Sequence, residues 1–479
     1  MREYRISTIC DINKSTLSSA DVFDTIRYLD TGSITDNEIT ELQELAIENT
    51  PSRAQRKVKD KTIIYSTVRP NLRHIGILVN PPENLIVSTG FATIDVKEEY
   101  KEKIDPLFLY YKLSQNEIVS YLHCIAENSV SSYPSINPSD IGNLSFVFPD
   151  FNVQQKISST LSTLDCRINL NKQISRELES MAKELYDYWF VQFDFPDKNG
   201  TPYKASGGRM VYNERLKREI PEGWTVCTIG AIVANSSGGD WGKDDEARNY
   251  SLNVNCIRGA DISMLTDLPI RYINKNNGNK LLSEWDIVIE ISGGSPIQAT
   301  GRSALVTNGL LSRYNSRLIC SNFCQSLRLK KPLMSPYFFY MWNMFYDNNI
   351  MFNYEGKTSG IKNFLLDSFL ANYWVFPPDQ IAKAFSERIA KFFTLRDKNT
   401  EEILQLSKLH NELLPLLMNG QVTVNNIKLT IDNVIILNRT DYYDQRFDLW
   451  LKNQGLAARG DIDRQTLREI FDVMDDDDK

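Results

Sequence analysis

The hexapeptide YRISTI at Tyr4–Ile9 returns 220 residues later as WTVCTI at Trp224–Ile229, each time an aromatic residue leading a strand-like alternation that ends in Thr-Ile. Further echoes follow in the same order. Gly32 to Ile34 is answered by Gly259 to Ile262, Asp60 to Tyr65 (DKTIIY) by Asp286 to Glu290 (DIVIE), and Leu85 to Ser88 by Leu318 to Ser321. Asp105 and Pro106, ahead of an aromatic-rich helical stretch, match Ser335 and Pro336, and Phe148-Pro149 closes one copy as Phe376-Pro377 closes the other. The offset stays between 220 and 233 residues throughout, as a duplicated module plus a helix requires and chance matches do not. The working unit is therefore a pair of related modules on one chain.

Each copy, 1–150 and 221–377, reads as mixed α/β. Short β-branched runs (Thr62 to Tyr65, Gly76 to Val79, Leu85 to Ser88, Leu144 to Phe148) predict strands, and Asp105 to about Leu122 predicts an amphipathic helix. Each copy then hands over to a long helical segment, 151–194 and 378–420. In the first, Ile157, Leu161, Leu164, Ile168, Ile174, Leu178, Met181 and Leu185 keep the three-and-four spacing of a coiled-coil seam, broken once at Asn171. The second carries Ile381, Phe385, Ile389, Phe392, Leu395, Ile403, Leu406, Leu413 and Leu417, broken near Asn399. About 40 residues of continuous helix make a rod of about 60 Å. Two such rods, each with one apolar stripe, most simply bury the stripes against each other. In the order module, rod, module, rod they pack antiparallel with a pseudo-two-fold axis between them. The alternative is two ordinary core helices in separate domains. The expected class is α+β: two α/β recognition modules separated by two long helices packed as an antiparallel coiled coil, pseudo-two-fold symmetric.

Composition is that of a soluble globular chain, 42% hydrophobic and 24% charged over 479 residues, with no apolar run approaching the roughly 20 residues of a membrane span. No membrane is expected as a partner, and a cytoplasmic location is. The seven cysteines are scattered without the spacing of a zinc site, so they are read as structural, buried thiols and no metal is expected. A net charge of −7 is awkward for a phosphate-binding protein, but the distribution is uneven. From Asn426 onward 12 acidic residues outweigh 8 basic ones, while Arg53, Arg56, Lys57, Lys59, Lys61, Arg69 and Arg73 face a single anion, Asp60, over 21 residues.

The segment 195–220 is rich in Pro, Gly, Asn and Lys (FPDKNGTPYKASGG from Phe195) and reads as an extended surface linker. It also carries a resemblance. WFVQFDFPDKNGTPYKASGGRMVYNERLKREIPEGW, Trp189 to Trp224, resembles the central segment of specificity subunits of type I restriction-modification systems, as do the duplicated architecture and the Asn419-Gly420 close of the second rod. The likeness covers about residues 1 to 425. It implies two target-recognition domains, each reading one half of a split double-stranded DNA sequence, and paired helices that set the gap and dock two methyltransferase subunits, through which restriction and motor subunits join. It implies no catalysis and no cofactor on this chain, with S-adenosylmethionine, ATP and Mg expected in the partner subunits.

The residues fit that role. Scaffold strings repeat while the loops after them do not: Ser66 to Arg73 (STVRPNLR) in the first copy, Ser292 to Arg302 (SGGSPIQATGR) in the second, so an asymmetric target is expected. Arg69, Arg73 and Arg302 offer forks for guanine or phosphate, Asn71 and Gln298 pair bidentately with adenine, and Ser295 and Thr300 add hydroxyls. The run Arg53, Arg56, Lys57, Lys59, Lys61 suits phosphates more than bases, though a bare charge run is a solvated face more often than not. A second pair of loops, Ser131 to Ile136 with Tyr133 and Lys357 to Lys362 with Thr358, is placed at the far end of each module, as a phosphate cradle or a plain turn. Tyr186, Tyr188, Trp189 and Phe190, an aromatic cluster at the end of the first rod, read as a docking surface for partners.

Enzyme readings find little support. Asn80-Pro81-Pro82 resembles the base-holding motif of adenine methyltransferases, but Glu83 stands where a stacking aromatic is needed. No GxxxxGK[ST] loop occurs, and the three histidines (His74, His123, His410) lack ligand spacing. Two other classes stay open: a stand-alone bipartite DNA-binding regulator, and a coiled-coil scaffold that does not bind DNA. Residues 421–479 form an extension without counterpart in the first half, with a strand-like run (Ile427 to Leu437), a helical stretch (Asp463 to Met474) and a terminal DDDDK that also reads as an enterokinase-type tag site. Its role is open between closing against the first module, contacting another subunit and competing for the basic loops.

Overall fold

The computed structural model describes residues 2–18, 21–129, 133–293, 297–358 and 361–422. The expected strand and helix of the extension lie outside them. The chain divides into two compact units: Met1–Arg167 together with the second long helix from Leu406, and Ile168–Gln405.

In the first unit, Cys10–Ile12, Phe91–Val96, Thr62–Ser66 and Ile75–Leu78 form an antiparallel sheet in that spatial order, and Leu85–Ser88 runs parallel to Thr25–Leu29 in a second sheet. The second unit repeats both features. Val233–Gly238, Cys324–Leu329, Ile287–Glu290 and Ser303–Leu305 lie in the same order, and Leu318–Cys320 runs parallel to Leu252–Ile257. The opening hexapeptides also take equivalent places: Arg2–Arg5 pairs with Ser145–Phe148 as Thr225–Thr228 pairs with Tyr373–Phe376. A parallel pair inside an otherwise antiparallel scaffold needs a long crossover, so finding it at the matched place in both units establishes the duplication at the level of topology. Among the described strands of these paired sheets, Ala54–Lys57, which carries Arg56 and Lys57 of the cationic run, adds to Leu85–Ser88 at the sheet edge in the first unit and has no counterpart in the second.

The two long helices span Phe151–Tyr186 and Asp379–Met418. In the second unit Arg396 Nη1 donates to Glu179 Oε2 at 2.9 Å and Asn399 Nδ2 to Ser175 Oγ at 3.4 Å, so position rises on one helix as it falls on the other and the pair is antiparallel. In the first unit Asp165 sits 3.3 Å from His410 Nε2 and accepts from Tyr111 Oη at 2.6 Å, while the buried Lys112 ammonium donates to Met418 O, complementing the carbonyl end of the helix. Leu161, Leu164, Leu178, Met181, Leu185, Phe385, Ile389, Phe392, Leu395 and Leu417 are buried as the seam predicts, whereas Ile403, Leu406 and Leu413 are only half-buried. Asn171 interrupts the seam as expected and is itself buried, its Nδ2 without a hydrogen-bond partner.

Several expectations need correction. The helix expected over Asp105–Leu122 is two, Pro106–Ser114 and Asn116–Glu127, broken at Gln115 where ψ swings to 138°. The segment 195–220 is not extended: it holds the hairpin Met210–Asn213/Arg218–Pro221, and Phe193, Phe195 and Ile220 are buried in the core of the second unit. Tyr186, Trp189 and Phe190 are buried there too, with Tyr188 half-buried; the Phe190 ring lies 4.7 Å from Tyr337 and 4.8 Å from Phe385. A cluster that covers its own core is not available to a partner, so the docking expectation fails for these rings. Of the cysteines, Cys10, Cys256, Cys320 and Cys324 are buried as expected, but Cys124 and Cys166 are exposed and Cys227 lies between.

Asp397, on the second long helix, packs against the turn at Gly309 so closely that a Cβ there would meet its side chain at 2.4 Å. Burial pushes its carboxyl above the usual range, against hydrogen bonds from Thr307 and Gly309 that pull it down. A raised folded value means the native state binds the proton more tightly than the unfolded chain, so stability rises as pH falls from neutral towards the ordinary carboxylate value. Asp397→Asn is expected to flatten that dependence, measured as the urea midpoint of wild type and variant from neutral pH down to about pH 4, near the ordinary carboxylate value. Parallel pH slopes for the two proteins would refute this account of the group.

Candidate nucleic-acid interface

In each unit, two loops far apart in sequence are zipped into one edge. In the first unit Val68 bridges Ser135, Arg69 N donates to Pro134 O at 2.9 Å and Ile136 N to Thr67 O at 2.9 Å. In the second, Ser292–Gly293 pairs with Ile361–Phe364, itself the return strand of a hairpin with Glu355–Thr358, and Phe364 N donates to Ile291 O at 2.9 Å. The two loops of each module are thus neighbours, not opposite ends as the sequence suggested. Backbone pairing between distant segments leaves no mark in local composition.

The first edge is strained. Arg69 and Arg73 flank the single turn Pro70–Leu72 with φ of 48° and 56°, a left-handed conformation that costs a side-chain-bearing residue about 1–3 kcal/mol. Arg73 is absorbed by the fold: its guanidinium donates to Asp36 at 2.7 Å, Asn116 at 2.9 Å and Ser114 O at 3.0 Å. Arg69 is exposed, its guanidinium 5.1 Å from the centre of the exposed Tyr133 ring, and it makes no ion pair among the described residues. Asn71 is exposed at the turn. Of the cationic run, Lys57 pairs with Asp21 and Lys59 reaches Asp95 at 3.8 Å; Arg56 is half-buried, and Arg53 and Lys61 are exposed.

At the second edge the described cations Arg302 and Lys362 are paired internally. Arg302 forks onto Glu290, Nε to Oε2 at 2.9 Å and Nη2 to Oε1 at 2.7 Å, and this carboxylate holds the guanidinium further above its usual value. Glu290 is buried in strand Ile287–Glu290 and leaves no room at Gly259, where a Cβ would stand 2.6 Å from its Oε1. Lys362 pairs with Glu355 at 3.0 Å, and the same carboxylate accepts from the Thr300 backbone at 2.8 Å. Trp342 Nε1 donates to Gly301 O at 2.6 Å, at a φ of 101° that glycine adopts freely. Arg302, Lys362 and the buried Thr300 therefore shape the loop from within, each held by a carboxylate of its own unit. Gln298 stays exposed beside Ile297, which is 91% exposed, and Phe323, 56% exposed, accepts from Ile291 N. Sequence reasoning missed Ile297 and Phe323, since a lone apolar residue in a loop carries no periodic signal. Ser295 lies outside the described residues, as do the side chains of Lys357 and Thr358, whose backbone lies in strand Glu355–Thr358.

Among the described residues no group of His, Cys, Asp and Glu has the arrangement of a metal site, and no helix is long and apolar enough to cross a membrane.

Residues 1–180 match the family model of the type I restriction modification DNA specificity domain. The chain is 30% identical over 196 residues to the HindI specificity subunit of Haemophilus influenzae, a match covering 40% of this chain and 42% of that relative's length. It is 25% identical over 398 residues to the MjaIX specificity subunit of Methanocaldococcus jannaschii, covering 78% of this chain and 84% of that one. The crystal structure of the S subunit of a type I restriction-modification system from M. genitalium shares the fold, with a TM-score of 0.50 and 14% identity over 87% of this chain and 95% of that one.

Proposed function

We propose that the chain is a type I restriction-modification specificity subunit, the non-catalytic DNA-reading subunit of such a complex, as its likeness to the HindI and MjaIX specificity subunits supports. It recognises an asymmetric, two-part duplex target, residues 1–150 reading one half and 221–377 the other. Its long helices, 151–194 and 378–420, space the two modules and dock two methyltransferase subunits, through which restriction subunits join. S-adenosylmethionine, ATP and Mg belong to those partners, and the complex works in the cytoplasm.

One observation carries the reading: the scaffold strands repeat in order and direction while the two loop edges differ in charge, backbone conformation and pairing. A repeated scaffold with divergent loop edges suits a protein that presents two different base-contacting surfaces from one frame. The unshared strand Ala54–Lys57 and its flanks then supply sequence-independent grip on phosphates.

Salt titration of DNA binding by the complex assembled with its methyltransferase subunits tests this. Affinity is expected to fall steeply with salt, and Arg53→Ala or Lys61→Ala should each reduce the log–log slope by about 1 without altering which sequence is chosen. Affinity indifferent to salt would sink the proposal in favour of a protein scaffold. Equally strong and specific binding by the isolated chain would favour a stand-alone regulator.

A further inference from the structure

Resting on the DNA-reading role proposed above, we infer that the half-site of the first module contains a guanine, and that Arg69, held on the face of Tyr133, recognises it in the major groove.

Three observations converge on Arg69. It is exposed and pairs with no carboxylate among the described residues, whereas Arg73 on the same turn is tied to Asp36, Asn116 and Ser114. Its backbone is forced into the left-handed region and pinned by the hydrogen bond to Pro134 O, so the fold spends strain to aim this side chain. Its guanidinium lies 5.1 Å over the centre of the Tyr133 ring, which restricts the long side chain before any ligand arrives.

A planar fork with a preset plane matches the O6 and N7 acceptors of guanine, which lie side by side in the major groove. A phosphate makes no such demand, being open to approach from many directions, and the exposed Arg53 and Lys61 are placed for that role. The second module supplies the contrast. Its arginine, Arg302, occupies the comparable loop but spends its fork on Glu290 inside the protein, and Lys362 is matched by Glu355. Of these described loop cations, Arg69 is the one whose fork is not taken by a carboxylate among the described residues.

The experiment maps methylated sites in DNA modified by the complete methyltransferase complex carrying wild-type chain, Arg69→Ala, Arg69→Lys or Tyr133→Ala, and measures binding to the mapped site with 7-deazaguanine, which lacks the N7 acceptor. Arg69→Ala is expected to relax one G·C position in one half-site, leave the other half unchanged, and lower discrimination there by about 10- to 100-fold. Arg69→Lys should recover part of the effect. Tyr133→Ala should blur the same position, and 7-deazaguanine there should weaken wild type but not Arg69→Ala. Uniform loss of methylation at every position would overturn the inference, since it would make Arg69 a phosphate or folding residue. So would relaxation at an A·T pair. Absence of any sequence-dependent binding by the wild-type complex is a different result, and it would instead remove the DNA-reading role on which the inference rests.

Discussion

Trp342→Ala is expected to lower the stability of the second unit by about 3–5 kcal/mol, the range for emptying a fully buried indole site. Trp342 has no solvent exposure, and its ring packs against Phe369 at 4.7 Å, Phe364 at 5.5 Å and Phe338 at 6.0 Å. The cavity forms behind the loop that its Nε1 holds through Gly301 O, so packing and loop geometry fail together. Trp342→Phe separates the two contributions. It keeps most of the apolar contact, loses the hydrogen bond, and should cost about 1–3 kcal/mol. Urea unfolding of the full chain, followed by fluorescence and by circular dichroism, reads both. A loss under about 1 kcal/mol for the alanine variant would mean that the aromatic cluster repacks around the gap, contrary to the close packing described.

The second large effect is at Glu290. Removing a partner from a buried ion pair typically costs about 3–5 kcal/mol, because the remaining charge is left desolvated and unpaired. The Arg302 side chain keeps 24% of its surface in water, against 6% for Glu290, so part of that cost is screened and Glu290→Ala should destabilise by about 2–3 kcal/mol. Glu290→Ala with Arg302→Leu should be less damaging than Glu290→Ala alone, since no orphaned guanidinium remains. Both variants unmoor the edge 292–302, so sequence choice should relax in the second half-site only, seen as degeneracy in one half of the methylated motif. Relaxation of both halves would show that the pair supports more than its own module.

Much of the architecture was legible because it rests on periodicity and repetition. The matched strings around Thr62–Ser66 and Ile287–Glu290 take the same central place in their sheets, and the seam from Ile157 to Leu185 is buried nearly throughout. A strand buried on both faces must be apolar whatever surrounds it, and a helix packed along one side must repeat at about 3.6 residues, so both leave patterns in the chain itself. The segment from Trp189 to Trp224 was legible as a family signature but misread as structure. Its prolines and glycines suggest a linker, yet Phe193, Phe195 and Ile220 are anchored in the core, and the Phe190 ring is covered by Tyr337 and Phe385, 147 and 195 residues further on. Apolarity shows in a sequence; what covers it does not.

What the amino-acid sequence determined by itself is the duplication, the alternation of module and helix, and the divergence of the loops, since each is written as a spacing between residue types along the chain. Only the tertiary structure decided which arginine is available to a ligand. Arg69 and Arg302 are alike as loop cations after matched strands, but hairpin pairing sets Arg302 opposite the Glu290 carboxylate, while a left-handed turn lays Arg69 over Tyr133 with no ion pair among the described residues. Charge pairing falls off with distance in space, and distance in space between residues far apart in the chain is set by the fold.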